Sequence, residues 1–312
     1  MARSYVYVHP ATEANRVKVA VDEIGSQDSA VVWPYYKMAY GQDGEVTPVS
    51  HENHLPVADP WLSHAIHVIE STYGDAVSIH AKDKDLLKFG QSDQVQTSLT
   101  TIMDLPSGTY NETYVSDNLI TTVSSSSTSD TEEIVVEGHT ISAGVFTFVS
   151  QTITLTGQTQ ATLTTPLARC TRIYNNGSTD LVGNVYAYQD DTSTAGVPDT
   201  AAGVHCIIPA GYNQSRKCST TISNVDYWII TNVGASLLTK AAGFITMEVE
   251  IRFQGKVFRS QITLGGSNGT TDHEFKPYLI APKNSDIRVR CSADQNNRSV
   301  SAHLDGVLAI VV

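Results

Sequence analysis

From residue 132 onward the chain is a succession of short runs that alternate apolar and polar residues, each closed by a turn signal. "EEIVVEG", "VFTFVSQTITL", "RCTRIYN", "VHCIIP", "YWIITNV", "FITMEVEIRF" and "IRVRCSA" are rich in β-branched and aromatic residues. "NNGS" at 175–178, "NVG" at 232–234, "QG" at 254–255 and "GGSNG" at 265–269 punctuate the runs. Alternation with period two sends successive side chains to opposite faces of a strand. Many short strands with frequent turns predict an antiparallel β-sandwich, jelly-roll-like, over residues 132–312. Gln254-Gly255 between two alternating runs predicts a hairpin. The terminal "LDGVLAIVV" predicts a buried strand that closes the sheet.

Upstream the character changes. Residues 1–90 carry two of the three Trp, and five of the ten His cluster between His51 and His80. "RVKVAVDEI" and "AVVWPYYKMAY" read as strands, with Pro34 marking an edge or bend. "PWLSHAIHVIEST", 60–72, predicts one short helix, because Pro60 suits a first turn and Trp61, Ala65, Ile66 and Ile69 share a face. The fold class expected is therefore mainly β, a C-terminal antiparallel sandwich preceded by a smaller strand-rich N-terminal segment with one short helix. Between them, 91–131 reads as an extended connector. Its end, "VSSSSTSDT", is hydroxyl-rich, and Ser and Thr satisfy their own backbone without a hydrophobic core.

Charge excludes several functions. Charged residues make up 17% of the chain and the net charge is −12. No Lys or Arg lies between Lys88 and Arg169, while eight acidic residues do. A phosphate backbone has nothing to dock on there, so no nucleic-acid partner is expected. No apolar run approaches the roughly 18 residues of a membrane span, and "MARSYVYVHP" lacks the apolar core of a signal peptide. Cys170, Cys206, Cys218 and Cys291 show no C-x-x-C spacing and read as reduced thiols.

Candidate chemistry is thin. "GGSNG" matches G-x-S-x-G, but a nucleophile elbow enters a helix, and "TTDHEFKPY" reads as a strand, so a hairpin loop is expected. His51, His54, His64 and His67 read as surface or interface histidines rather than a metal site. Asp190, Asp191 and Asp199 lie in a loop without the order of an EF-hand. Glu248 and Glu250, two apart on one strand, are the best carboxylate pair, and their alternation with Met247, Val249 and Ile251 reads as a solvent face. No enzyme, cofactor or metal is expected.

A resemblance does run along the chain. Asp22, Glu23, Ile24, Gly25, Lys37, Gly41, Asp43, Gly44, Val49, Ser50, Asn53, Leu55, Pro56 and Val57 stand in the order D-E-I-G, K-x-x-x-G-x-D-G, V-S, N-x-L-P-V. Ser26 takes the place of a second Gly. "DLLKFGQ" at 85–91, "VSSSSTSDT" at 123–131, "IPAGYNQS" at 208–215 and "NSDIRVRCSA" at 284–293 follow. This series resembles the virion structural proteins of tailed bacteriophages, of the type found in phages of marine bacteria. The resemblance implies a structural protein of the virion, assembled in the host cytoplasm, and carries no catalytic residue across. The leading expectation is a capsid decoration or cement protein on the outer shell. The alternative is a neck, tail or fibre component whose sandwich binds a receptor. Partners expected are capsid or other virion proteins and further copies of the chain, as a trimer. Residues 1–90 are expected to attach to the particle, with Trp33, Tyr35, Tyr36, Tyr40 and Trp61 at the interface, since such aromatics are enriched where proteins bind each other.

Overall fold

The computed structural model describes residues 4–8, 17–21, 39–40, 47–48, 79–104, 112–189, 191–238 and 243–311. The chain divides into two units, residues 1–60 and 61–312. In the first, β1 (Ser4–Val8) pairs antiparallel with β2 (Val17–Val21), the alternating "VKVAV" run, and β3 (Ala39–Tyr40) pairs with β4 (Thr47–Pro48). The helix expected over 60–72 lies outside the described residues.

The second unit is built almost wholly of strands. Its first half contains β5 (Ile79–Val95), β6 (Thr100–Thr101), β7 (Ile120–Ser125), β8 (Glu133–Ser142), β9 (Val145–Thr154), β10 (Ala161–Leu167), β11 (Arg169–Asn175), β12 (Val185–Gln189), β13 (Ser193–Thr194), β14 (Val197–Pro198) and β15 (Val204–Ile208). Its second half contains β16 (Ser219–Thr221), β17 (Tyr227–Leu237), β18 (Ile245–Phe253), β19 (Arg259–Gly266), β20 (Thr270–Pro282), β21 (Ser285–Ala293) and β22 (Arg298–Val311). The mainly β, antiparallel class expected from the alternation is what forms.

Two sandwiches result. In the C-terminal one, the sheet β20-β17-β22-β5 faces β16-β21-β18-β19, with β6 extending the β16 edge of β21. Ile245, Met247, Val249 and Ile251 point inward from β18, and Ile287, Val289 and Cys291 from β21, against Trp228, Val300 and Leu304. In the N-terminal one, β10-β7-β12-β15 faces β11-β8-β9. Ile134, Val136, Leu167, Ile173, Val185 and Ile208 fill a separate core. Each fully buried aliphatic side chain contributes roughly 1.5–3 kcal/mol, so each sandwich has its own source of stability.

The two sandwiches wind alike. Within β7–β12 the fourth, first and sixth strands form one sheet and the third, second and fifth the other, and β17–β22 repeat that order. This is a jelly-roll path. The wide sheet is completed beside the sixth strand by β15 in one case and by β5 in the other. The N-terminal sandwich is thus inserted between β6 and β16 of the C-terminal one.

The connector expected over 91–131 is not a connector over its described residues. Residues 91–95 belong to β5, which pairs with β22, so the division near residue 90 falls inside a strand. The serine run is β7, an inner strand flanked by β10 and β12. Ser124 and Ser125 have no exposed surface. Ser124 Oγ donates to the Gly196 carbonyl at 2.8 Å and lies 3.0 Å from the Tyr188 hydroxyl. Ser125 Oγ donates to the Asp130 carboxylate, which also accepts from the Val182 and Gly183 amides at 2.8 and 2.9 Å. A hydroxyl is tolerated in a core when it is fully paired; Asp130 closes the run locally, but the partners of Ser124 lie 64 and 72 residues on, where the run itself gives no sign of them. Gly90, in "DLLKFGQ", is needed for close approach: a Cβ there would collide with the Cys218 amide and the Ile102 carbonyl.

Two turn expectations are refined. The hairpin at Gln254-Gly255 exists, joining β18 to β19 with Gly255 at φ +72°, but its loop spans 254–258. The "GGSNG" segment is not a hairpin loop. It holds a 3-10 turn, Ser267–Gly269, that carries the chain from β19 to β20 in the opposite sheet.

Asp130→Ala leaves the buried Gly183 amide, the part-buried Val182 amide and the Ser125 hydroxyl without their acceptor. It is expected to cost about 3 kcal/mol, read as a shift in the urea midpoint at constant slope.

Candidate functional site

The outer face of the β11-β8-β9 sheet is polar. Ile134 and Val136 point into the core, so Glu137 and His139, on the opposite parity, point away from it. Register places Arg172 opposite Glu137, and both Phe148 and Arg169 opposite His139. A bulge between Cys170 and Arg172 keeps both arginines in line with this face. Gly138 makes the arrangement possible, because a Cβ there would strike the Arg169 carbonyl.

This face meets the C-terminal sandwich through buried ion pairs. Arg169 grips Asp286 of β21 bidentately, Nε to Oδ1 at 3.0 Å and Nη2 to Oδ2 at 3.1 Å. Its Nη1 donates to the Val115 and Ala168 carbonyls at 2.6 and 2.7 Å. Asp286, with 0% exposure, also accepts from Thr221 Oγ1 at 2.6 Å and Arg252 Nε at 2.9 Å. Tyr114 lies beneath both guanidinium groups, 5.1 Å from that of Arg169 and 4.4 Å from that of Arg252. Arg288 stacks over Phe258 at 3.8 Å and pairs with Glu250.

A second buried pair joins Lys217 to Glu112. Lys217 Nζ also donates to the carbonyls of Cys170 and His205 at 2.7 and 3.0 Å. Glu112 accepts from the hydroxyls of Tyr114 and Ser219 at 2.7 and 2.9 Å. A third links Arg216 bidentately to Asp104 at 2.7 and 3.0 Å.

Burial alone would raise the carboxyl pKa values of Asp286 and Glu112. The Arg169 guanidinium beside Asp286, and the Lys217 ammonium beside Glu112, outweigh it and hold both below the usual range. Burial would lower Lys217, and the Glu112 carboxylate reverses this. His139 and His205 have no such partner: burial pushes each down to about 4, so both are neutral at pH 7.

Beside these pairs a cleft of about 340 Å³ opens between the sandwiches. One wall is Glu137, His139 and Phe148, the other Lys88 and Phe89 of β5 with the hydroxyl-rich stretch 220–223. Lys88 is half-buried and donates to the Thr171 carbonyl at 3.1 Å, and burial lowers its pKa. The Phe148 ring meets His139 edge to face with centroids 5.6 Å apart. His139 is 3% exposed, and its Nδ1 has no hydrogen-bond partner.

The residues singled out from the sequence lie elsewhere. Trp33, Tyr35, Tyr36 and Trp61, with His51, His54, His64, His67 and Asp190, fall outside the described residues. Tyr40 pairs with Thr47 in β3, and its side chain is also outside them. Asp191 accepts from the Thr192 and Thr200 amides at 2.8 and 2.9 Å, which closes a turn. Asp199 accepts from Thr194 Oγ1 at 2.8 Å. Glu248 and Glu250 share a face, but Glu250 is buried against Arg288 and Arg290 rather than solvent-facing. Asp272 and His273 alternate across β20 as expected of neighbours on a strand. All four cysteines are free and buried. Among the described residues no cluster of three or more His, Cys, Asp or Glu is placed to hold a metal ion. Nor is any helix among them long and apolar enough to cross a membrane. The cleft and the Arg169–Asp286 pair were missed. The one available signal was that Arg169 is the first cation after the basic-free stretch.

Searches against protein-family models, curated proteins and solved structures find no match to this chain.

Asp286→Ala strands two buried guanidinium groups and is expected to cost roughly 3–5 kcal/mol, read by chemical denaturation. For pH, His139 and His205 titrate near 4 in the folded protein and near 6.5 unfolded. The unfolded chain therefore binds protons first. Stability is fully present above about pH 6.5 and declines as the pH falls toward about 4. Below that, the depressed carboxyls of Asp286 and Glu112 add to the loss. Asp104, whose carboxyl burial raises to about 6, works the other way, but the two histidines outnumber it, so the melting temperature should fall over this range and His205→Gln should flatten the slope. A flat profile from pH 7 to pH 5 would count against both assignments.

Proposed function

We propose that this protein is a structural component of a bacteriophage virion, a capsid decoration or cement protein seated on the outer shell. The observation that carries the reading is the build of the chain: a 60-residue N-terminal unit followed by a large unit of two jelly-roll sandwiches. Jelly rolls recur in viral capsid and lectin domains, although fold alone does not fix function. The ordered motifs from Asp22 to Ala293 support the same reading. So does the buried ionic junction, which ties the sandwiches together and suits a part that must resist proteolysis. On this reading the N-terminal unit, with its aromatic residues, attaches to the particle and the sandwiches project.

A neck, tail or fibre position is the second reading, and the cleft favours it, because a receptor-binding component needs a recess. Copy number separates the two. Quantitative mass spectrometry of particles should give hundreds of copies for a decoration protein. A neck or fibre protein should give about a dozen or fewer, as the cyclic symmetry of such an assembly dictates. Full-length protein added to particles lacking it should rebind. Failure to rebind, with the protein absent from purified particles, would end the virion reading.

The proposed assembly is a homotrimer. The chain is 33.7 kDa, so light scattering of micromolar protein should return three times that mass. The monomer mass, both free and when released from particles, would exclude it.

A further inference from the structure

We propose that the cleft between the two sandwiches is a saccharide-binding site that takes one or two neutral sugar units. The inference does not rest on the virion reading. It follows from what the walls offer and from what they leave unanswered.

The cleft, at about 340 Å³, lies at the lower end of the range for small-molecule sites, roughly 300–1,000 Å³. Its polar groups are of mixed kind. Lys88 brings an ammonium with three donors, only one of them committed within the protein, to the Thr171 carbonyl. Glu137, opposite, brings a carboxylate that only accepts. His139 brings a neutral ring whose Nδ1 is buried and unpartnered. Unpaired buried polar atoms are rare in folded proteins and call for an explanation. A ligand carrying hydroxyls answers Lys88 and Glu137, because each hydroxyl both donates and accepts, while the enclosed Nδ1 of His139 lies behind the cleft wall.

The apolar groups point the same way. Phe148 and Phe89 line the cleft yet remain 37% and 42% exposed. Phe148 is steadied by its edge-to-face contact with His139. Aromatic rings held rigid at a wet rim give a flat surface for the C–H face of a sugar ring at little entropic cost.

Other ligand classes fit less well. A simple anion would meet Lys88 but also Glu137, and Arg172 is already engaged by Gln214 and the Tyr174 ring. A wholly apolar ligand would dehydrate Lys88 and Glu137 without replacing their hydrogen bonds. A neutral polyol adds no charge to the cleft and pairs with both Lys88 and Glu137.

The test uses the full-length chain and saturation-transfer NMR. The probes are glucose, galactose, N-acetylglucosamine, rhamnose, lactose and maltose, with acetate as the anion control. At least one sugar is expected to bind with a dissociation constant of roughly a millimolar. Phe148→Ala and Glu137→Gln, both at positions open to solvent, should each weaken that binding about tenfold at an unchanged melting temperature. Phe253→Ala, on the β18–β19 hairpin away from the cleft, should leave it intact. The proposal is overturned if none of the sugars binds at about 20 mM. It is equally overturned if binding survives both cleft variants, or if acetate binds there and no sugar does.

Discussion

A carboxylate with no exposed surface is stable only if every lone pair is answered, and Asp286 has its answered from both sandwiches. Thr221 and Arg252 reach it from its own half of the body, and Arg169 reaches it from the inserted half. A buried ion pair is often no better than a hydrophobic substitute, because desolvation offsets attraction. Here the geometry is bidentate, the remaining guanidinium nitrogen is bound by carbonyls, and an aromatic ring lies against both cations. The pair therefore gives orientation rather than net stability. One angle between the sandwiches satisfies it, and that angle defines the cleft.

The identical winding of β7–β12 and β17–β22 explains why the junction can be polar. Each sandwich closes its own apolar core, so neither needs the other to bury its aliphatic side chains. What remains for the contact surface is the outer face of the β11-β8-β9 sheet. In a free sandwich that face would carry charge toward water. Here it carries Glu137, His139, Arg169 and Arg172 toward a partner, and Gly138 and the Cys170–Arg172 bulge adjust it to fit.

Much of the architecture was legible because it is local. Alternation in "ITMEVEIRF" and "SDIRVRCSA" gave β18 and β21, and the apolar terminal run gave the end of β22. What was not legible depends on distant partners. Ser124 looks like linker until Tyr188 and Gly196, 64 and 72 residues on, are seen to receive it. Arg169 and Asp286 are 117 residues apart, and nothing in either neighbourhood marks the pairing. The cleft is assembled from six separate stretches of chain, each ordinary by itself.

The placement of β5 has a consequence for how the chain is made. Its pairing runs from Val95 opposite Arg298 to Ile79 opposite Val311, so its partner is made more than two hundred residues after it. All strands of the inserted sandwich lie between residues 120 and 208 and are complete long before that. Synthesis from the N-terminus thus delivers a finished inserted sandwich while β5 still waits as a bare strand edge, the kind of template on which neighbouring chains pair. The interval during which this protein is vulnerable to its own copies is set by translation speed between β15 and the end of β22. Once β22 pairs with β5, one edge of β5 becomes an internal seam, and β5 remains the outer strand of its four-stranded sheet.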